Sequence, residues 1–166
     1  MKTTIQIKSI FGKILFEYEK EDNTIKQTLI EAVNTGANLR GANLRDANLS
    51  QKDIDKFKHL SQIIPEEGSF IAWKKGANNC LIKLEIPADA KRHNYLGGRK
   101  CRAEFAKVLE IRDGKKRPKT CKGLWSSSFT YKVGEICRPD SYNPNPLEEC
   151  SNGIHFFITK QEAKDW

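Results

Sequence analysis

The 166-residue sequence contains no apolar run approaching 18 residues, so no segment reads as a membrane-spanning helix. Its first residues lack the basic-then-apolar pattern of a secretory leader, and the expected location is the cytoplasm. No C-x-x-C pair occurs. The five cysteines, Cys80, Cys101, Cys121, Cys137 and Cys150, are odd in number and are expected to be reduced and mostly buried. A zinc set drawn from Cys121, Cys137, Cys150 and His155 would be widely spaced, without the paired knuckles of structural sites; no metal and no other cofactor is expected. The P-loop pattern G-x-x-x-x-G-K-S/T is absent. Neither a Ser/His/Asp set nor a pair of catalytic carboxylates stands out, and His59 and His93 are isolated. No catalytic residue is assigned.

What is present is positive charge in one place. The net charge is +8, and Lys91 to Lys122 holds twelve Lys/Arg against three acids, so this stretch carries +9 and the rest of the chain −1. Such a concentration reads as the footprint of a polyanion or a phosphorylated ligand. Within it, residues 112–122 read as a solvated, flexible loop. A hydrophobic content of 38% is enough for a core, and the length bounds the chain to one domain or two small ones.

Residues 37–54 read ANLRG ANLRD ANLSQ KDI, an internal repeat of period five. Leu39, Leu44, Leu49 and Ile54 mark the period, with Ala37, Ala42 and Ala47 two residues before the first three. Five matches neither the helical 3.6 nor the strand 2.0. It suits a square coil in which each step makes one side and one corner, the large apolar residue points inward and the Ala permits close packing. A helix is the competing reading, because Ala, Leu and Arg are good helix formers. Three clear units and one degenerate unit (Lys52 to Lys56) make about one turn, and solenoid units need stacked neighbours. The stretch is therefore a spacer or capped joint.

Around the repeat, residues 3–19 predict a β-hairpin turning at Phe11-Gly12. Asn23-Thr24 opens a helix with Ile25, Leu29, Ile30 and Val33 at helical spacing and Gly36 at its end. A short helix is expected within 53–64, and the turn Pro65-Glu66-Glu67-Gly68 marks a boundary. Strands follow at 70–74 and 80–86, joined by Ala77-Asn78-Asn79, then at 103–111, 129–138 (broken at Gly134) and 153–158. On 103–111, Phe105, Lys107, Leu109 and Ile111 would share one face, and Ala106 and Val108 the other. Thr159-Lys160-Gln161-Glu162 has the form of a capping box for a last helix.

The motif A-N-L-x-x resembles the pentapeptide-repeat family, which implies a right-handed quadrilateral β-helix. Beyond it, Ile64 to Gly68, Trp73-Lys74-Lys75, Ile86-Pro87 to Lys91-Arg92, Gly98-Arg99-Lys100-Cys101-Arg102-Ala103-Glu104, Tyr131 to Glu135, and Glu149-Cys150 to Gly153-Ile154-His155-Phe156-Phe157-Ile158-Thr159 resemble a domain found in pentapeptide-repeat proteins of bacteria and their phages. The resemblance implies no established activity. The expected fold is α+β: an N-terminal β-hairpin and helix capping about one turn of right-handed quadrilateral β-helix (1–64), followed by a mostly β, basic C-terminal domain (65–166).

The candidate ligand or phosphate site is Lys91, Arg92, Arg99, Lys100 and Arg102, flanking the Leu96-Gly97-Gly98 turn. Lys74 and Lys75 are possible neighbours, and Trp73 and His155 possible additions. Glycines let backbone N–H groups converge, and Arg forks suit phosphate oxygens. The bland readings are a basic turn, a core Trp and a hydrogen-bonded structural His. The expected function is a non-enzymatic binding protein for a phosphorylated small molecule or nucleic acid, without membrane association. The phage-type resemblance adds an anti-defence role, or inhibition of a host nuclease or defence protein by direct contact. An enzyme acting on a nucleotide or NAD through His155 is the rival class; GIHFFIT followed by Ala163 has a loose likeness to ADP-ribosyltransferases, without an assured partner Glu.

Overall fold

The structure, a computed structural model, describes every residue except Ile10, Arg40, Gly41, Arg45, Asp46 and Asn48, and all side chains of the others except those of Lys56, Leu60 and Ser61. In chain order the elements are β1 (Lys2–Lys8), β2 (Ile14–Glu21), α1 (Ile25–Asn34), α2 (Gln51–Ser61), β3 (Phe70–Lys75), β4 (Leu81–Ile86), β5 (Arg92–Asn94), β6 (Cys101–Ala103), β7 (Ala106–Arg112), β8 (Thr120–Lys122), β9 (Thr130–Lys132), β10 (Ile136–Cys137), β11 (Ile154–Phe156) and α3 (Lys160–Asp165). Few helices and many strands make this an α+β protein. It divides into two units. The first comprises Met1–Gln62, Asn94–Arg99 and Asn145–Cys150; the second comprises Ile63–His93, Lys100–Pro144 and Ser151–Trp166.

In the first unit, β1 and β2 form the expected antiparallel hairpin, with a bulge at Ile7/Lys8. Thr24 caps α1 through a capping box with Gln27, satisfying donors that a helix N-terminus leaves bare. Gly36 follows the helix at φ +67°, a left-handed position that glycine adopts without a Cβ penalty. Of the expected inward positions, Leu39 and Leu44 are buried and Leu49 and Ile54 half-buried; Ala42 and Ala47 are buried as well. Ala42 N–H donates to the Leu39 carbonyl (2.9 Å) and Ala47 N–H to the Leu44 carbonyl (3.2 Å), so the same backbone hydrogen bond recurs five residues apart. Beyond the isolated Ser9–Ala42 bridge, no strand forms among the described residues of the repeat. The expected β-helical turn is thus not seen as paired strands, and Arg40, Gly41, Arg45, Asp46 and Asn48 of the repeat lie outside the described residues. The degenerate fourth unit is helical. Ser50 caps α2 by accepting from Asp53 N–H, and Ile54 and Phe57 supply helical apolar spacing in place of an Asn-Leu pair. The core of this unit gathers Ile7, Leu29, Leu39, Leu44 and Phe57 with three residues from far along the chain, Tyr95, Leu96 and Leu147.

The second unit is built on a four-stranded antiparallel sheet of order β10-β7-β4-β3, with a three-stranded sheet β11-β6-β5 and a hairpin β8-β9. Trp73 and Phe157 exchange backbone hydrogen bonds of 2.8 and 2.7 Å, carrying the chain after β11 onto β3. The β3–β4 connection holds Asn78 and Asn79 at positive φ, a conformation Asn tolerates better than most residues. The expected strand 103–111 is two strands, and its faces are not simply alternate. Lys83 pairs with Glu110 but Leu84 pairs with Val108, so Leu109 is an extra residue; the bulge turns both Val108 and Ile111 into the core. Residues 112–122 are ordered rather than a loose loop. Asp113 and Lys116 exchange backbone hydrogen bonds in a tight turn, and 120–122 form β8. Ala72, Ile82, Leu84, Ile86, Val108, Ile154 and Phe156 make the core.

Candidate functional site

Strand periodicity places consecutive side chains of β3 on opposite faces. The row Ala72, Leu84, Val108 faces the core, as does the row Lys74, Ile82, Ile111. The rows Trp73, Lys83, Glu110 and Lys75, Leu81, Arg112 face the other way. On that outer face α3 packs on β3, with Ala163, Phe157, Trp166, Leu81 and Trp73 forming a small apolar cluster. Thr159 caps α3 in the expected box with Glu162.

The outer face ends in a cleft of about 390 Å³ lined by Lys75, Arg112, Arg117, Lys160 and Lys164, with Asn79, Leu81 and Gly114. No carboxylate side chain is among these lining residues. Lys160 and Lys164 are one helical turn apart and therefore share a face of α3. Arg112 is fixed by a two-pronged contact to Glu110 (2.8 and 2.9 Å), and Arg117 reaches the same carboxylate at 2.8 Å. The Arg112 contact holds the Glu110 carboxyl below the usual range. Lys75 Nζ donates to the Lys164 carbonyl (2.9 Å) at the C-terminal end of α3, where a cation suits the helix dipole. The Trp73 ring has Lys160, Arg112 and Lys83 within 5.6, 5.8 and 5.9 Å of its centre.

The core face carries a second cavity, of about 370 Å³, whose wall includes Lys74, Trp125, Phe129, Tyr131 and His155. Lys74 Nζ lies 5.5 Å from the centre of the Tyr131 ring, and Phe129 packs edge-on against Tyr131. Burial pushes the Lys74 amine down to about 8, with Lys100 adding to the shift. His155 hydrogen-bonds the Ser151 backbone, while burial and then Lys100, Lys74 and Arg102 push its pKa down to about 3. Its Nε2 is buried without a hydrogen-bond partner.

The residues singled out in the sequence are distributed differently from one another. Arg92 donates to five backbone carbonyls, of Pro65, Glu66, Gly68, Pro87 and Ala88, and lies over the Phe70 ring. It is a clamp between two turns. Arg102 is 2% exposed, and its guanidinium reaches His93 Nε2 at 3.2 Å; His93 Nδ1 in turn meets the Tyr142 hydroxyl at 2.7 Å. Lys100 is buried with Nζ 4.3 Å from the centre of the Trp166 ring. Lys91 is exposed; Arg99, also exposed, belongs to the first unit. Gly97 serves packing, since a Cβ there would meet the Tyr95 ring at 2.6 Å. Lys74 and His155 meet in the inner cavity, and Lys75 and Trp73 belong to the outer face. Arg112, Arg117, Lys160 and Lys164, which line the outer cleft, were not among the candidates; the signal in the sequence was the i, i+4 lysine pair that begins within the capping box. Among the described residues no three His, Cys, Asp or Glu gather in a way that could hold a metal ion, and no cysteine pairs in a disulfide. Cys121 and Cys137 are buried in the second unit, whereas Cys150 is exposed in the first.

Two known families match the chain in consecutive stretches. Residues 28–51 match pentapeptide repeats (8 copies), a span that also takes in most of α1. Residues 60–163 match the family of unknown function DUF5758. That match covers well over half of the chain, which therefore belongs to this family. No curated protein matches the chain. No solved structure matches it either. Among the described residues, no helix is long and apolar enough to cross a membrane.

Proposed function

We propose that the protein is a non-enzymatic binding module whose ligand is a phosphorylated small molecule, held in the outer cleft by Lys75, Arg112, Arg117, Lys160 and Lys164. The observation that carries this reading is five cationic side chains around one cleft of about 390 Å³ with no carboxylate in its wall. Bringing like charges together raises the energy of the empty site, and a polyanion offsets that cost. Two of the five are guanidinium groups already fixed by Glu110, so they lose little further freedom on gripping phosphate oxygens. The cleft suits a di- or triphosphate better than a long strand, because it is bounded rather than a continuous groove. The reading places the protein in the cytoplasm of a bacterial or phage-infected cell, where nucleotides and polyphosphates are plentiful. It also takes the five-residue turns of the repeat as the corners of one quadrilateral coil.

Calorimetric titration with ATP, tripolyphosphate and a 12-nucleotide single strand tests the assignment. Lys160→Ala/Lys164→Ala should weaken tripolyphosphate binding by roughly tenfold or more, because a charge-assisted contact is worth about 1.5–3 kcal/mol. A steep salt dependence confined to the oligonucleotide, with no binding of tripolyphosphate, would favour nucleic acid instead. Unchanged affinity for all three ligands in the double variant would remove the cleft as the site.

A further inference from the structure

We propose that the inner cavity is a second, independent binding site for a flat aromatic anion that carries a hydrogen-bond donor beside its negative group. Three features of the wall specify such a ligand. Lys74 brings an amine onto the core face of the sheet, in one row with Ile82 and Ile111 and against the Tyr131 ring. The charged groups that bear on that amine from the packed elements are Lys100 and the thiols Cys121 and Cys137; Asp140 lines the same cavity but is not among them, so the amine has no carboxylate counter-ion. An anionic group of the ligand supplies one.

His155 specifies the donor. With its hydrogen bond to the Ser151 backbone raising its basicity, Nδ1 is the donating nitrogen and Nε2 keeps its lone pair. That atom is buried and has no partner, and its neighbours Lys100, Lys74 and Arg102 oppose protonation. A buried acceptor left empty is costly, so a ligand N–H or O–H placed there recovers a contact the protein lacks. Trp125 specifies the flat ring. It is 87% exposed at the mouth of the cavity, with Phe129 in the same wall. A large apolar side chain exposed to this degree beside a polar cavity offers a stacking platform. The volume of about 370 Å³ accommodates a two-ring ligand.

The test uses three fluorescent probes that differ by one group: 3-hydroxy-2-naphthoate (anion and donor), 2-naphthoate (anion only) and 2-naphthol (donor only). Orotate, with N–H beside its carboxylate, distinguishes a heterocyclic source from an aromatic hydroxy acid. The wild-type protein should bind 3-hydroxy-2-naphthoate tightest. Lys74→Met should weaken it by roughly tenfold or more and bring it level with 2-naphthol. His155→Phe should erase the advantage of 3-hydroxy-2-naphthoate over 2-naphthoate, and Trp125→Ala should weaken all three. Binding to wild type should fall as pH rises through about 8, where the Lys74 amine loses its proton. Lys160→Ala/Lys164→Ala should change none of these values, which separates this site from the outer cleft. The proposal is overturned if neither 3-hydroxy-2-naphthoate nor orotate binds below millimolar concentration, or if folded Lys74→Met binds them as wild type does.

Discussion

Lys74 and Lys75 are neighbours in the chain and open into different cavities, one on each face of β3. The strand's two-residue period turns one doublet into a contribution to two sites with different electrostatics. Lys75 stands among four other cations at the surface, whereas Lys74 stands among aromatic rings and aliphatic core.

The position of Lys74 has a cost that a mutation should reveal. Its folded pKa of about 8 is below the ordinary 10.5, so between these values the unfolded chain binds a proton that the folded chain does not. Stability contributed by this group is therefore lowest below pH 8 and rises as pH climbs towards 10.5, by roughly 3 kcal/mol. Chemical denaturation at pH 7 and pH 9.5 should show this rise in wild type and not in Lys74→Met, which should be the more stable of the two at pH 7.

His155 gives the opposite flank of the pH profile. Its pKa of about 3, against an ordinary 6.5, means that acidification through this window favours the unfolded chain, which takes up the proton. The stability lost is on the order of 4 kcal/mol by pH 3. His155→Gln should lack this component, so its denaturation midpoint should fall less between pH 7 and pH 4.5 than that of wild type.

Arg92 is predicted to matter for folding rather than for ligand binding. Arg92→Lys keeps the charge but cannot reach five carbonyls around two turns, and it should cost about 2–4 kcal/mol, close to Arg92→Ala. Tripolyphosphate affinity, measured on the folded fraction, should not change.

A fragment of residues 1–64 should be unfolded by circular dichroism. It keeps the hairpin, α1, the repeat and α2 but lacks Tyr95, Leu96 and Leu147 from its core, together with the hydrogen bond from the Tyr95 hydroxyl to the Ala42 carbonyl (2.7 Å). In the full chain Leu147→Ala should cost about 2–4 kcal/mol.

The local features were legible because they rest on local chemistry. The capping box at Thr159, the helix opening at Thr24, the hairpin, the five-residue period and the buried Leu39 and Leu44 follow from spacing alone. What could not be read was which distant motifs touch. Arg92 grips the Pro65–Gly68 turn, and Gly153 is glycine because Arg102 Cγ would lie 2.4 Å from its Cβ. Charge density along the chain pointed to Lys91–Arg102, yet Arg92, Lys100 and Arg102 turn inward to satisfy carbonyls, a ring and a histidine. The cations left facing a cleft come from β3, β7, the turn after β7 and α3, and only sheet pairing together with the packing of α3 on β3 assembles them. The bulge at Leu109 moved Ile111 onto the face of Ala106 and Val108, since one inserted residue is invisible to alternation.

The chain crosses between its two units at 62/63, 93/94, 99/100, 144/145 and 150/151. During synthesis the first 62 residues leave the ribosome without Leu147, and the second unit waits for Ile154 and Phe156. Ordinary two-domain chains fold their leading domain while the rest is still being made. Here neither half can close early. Until Leu147 is made, the nascent chain holds Leu39 and Leu44 without the distant residues that complete their core.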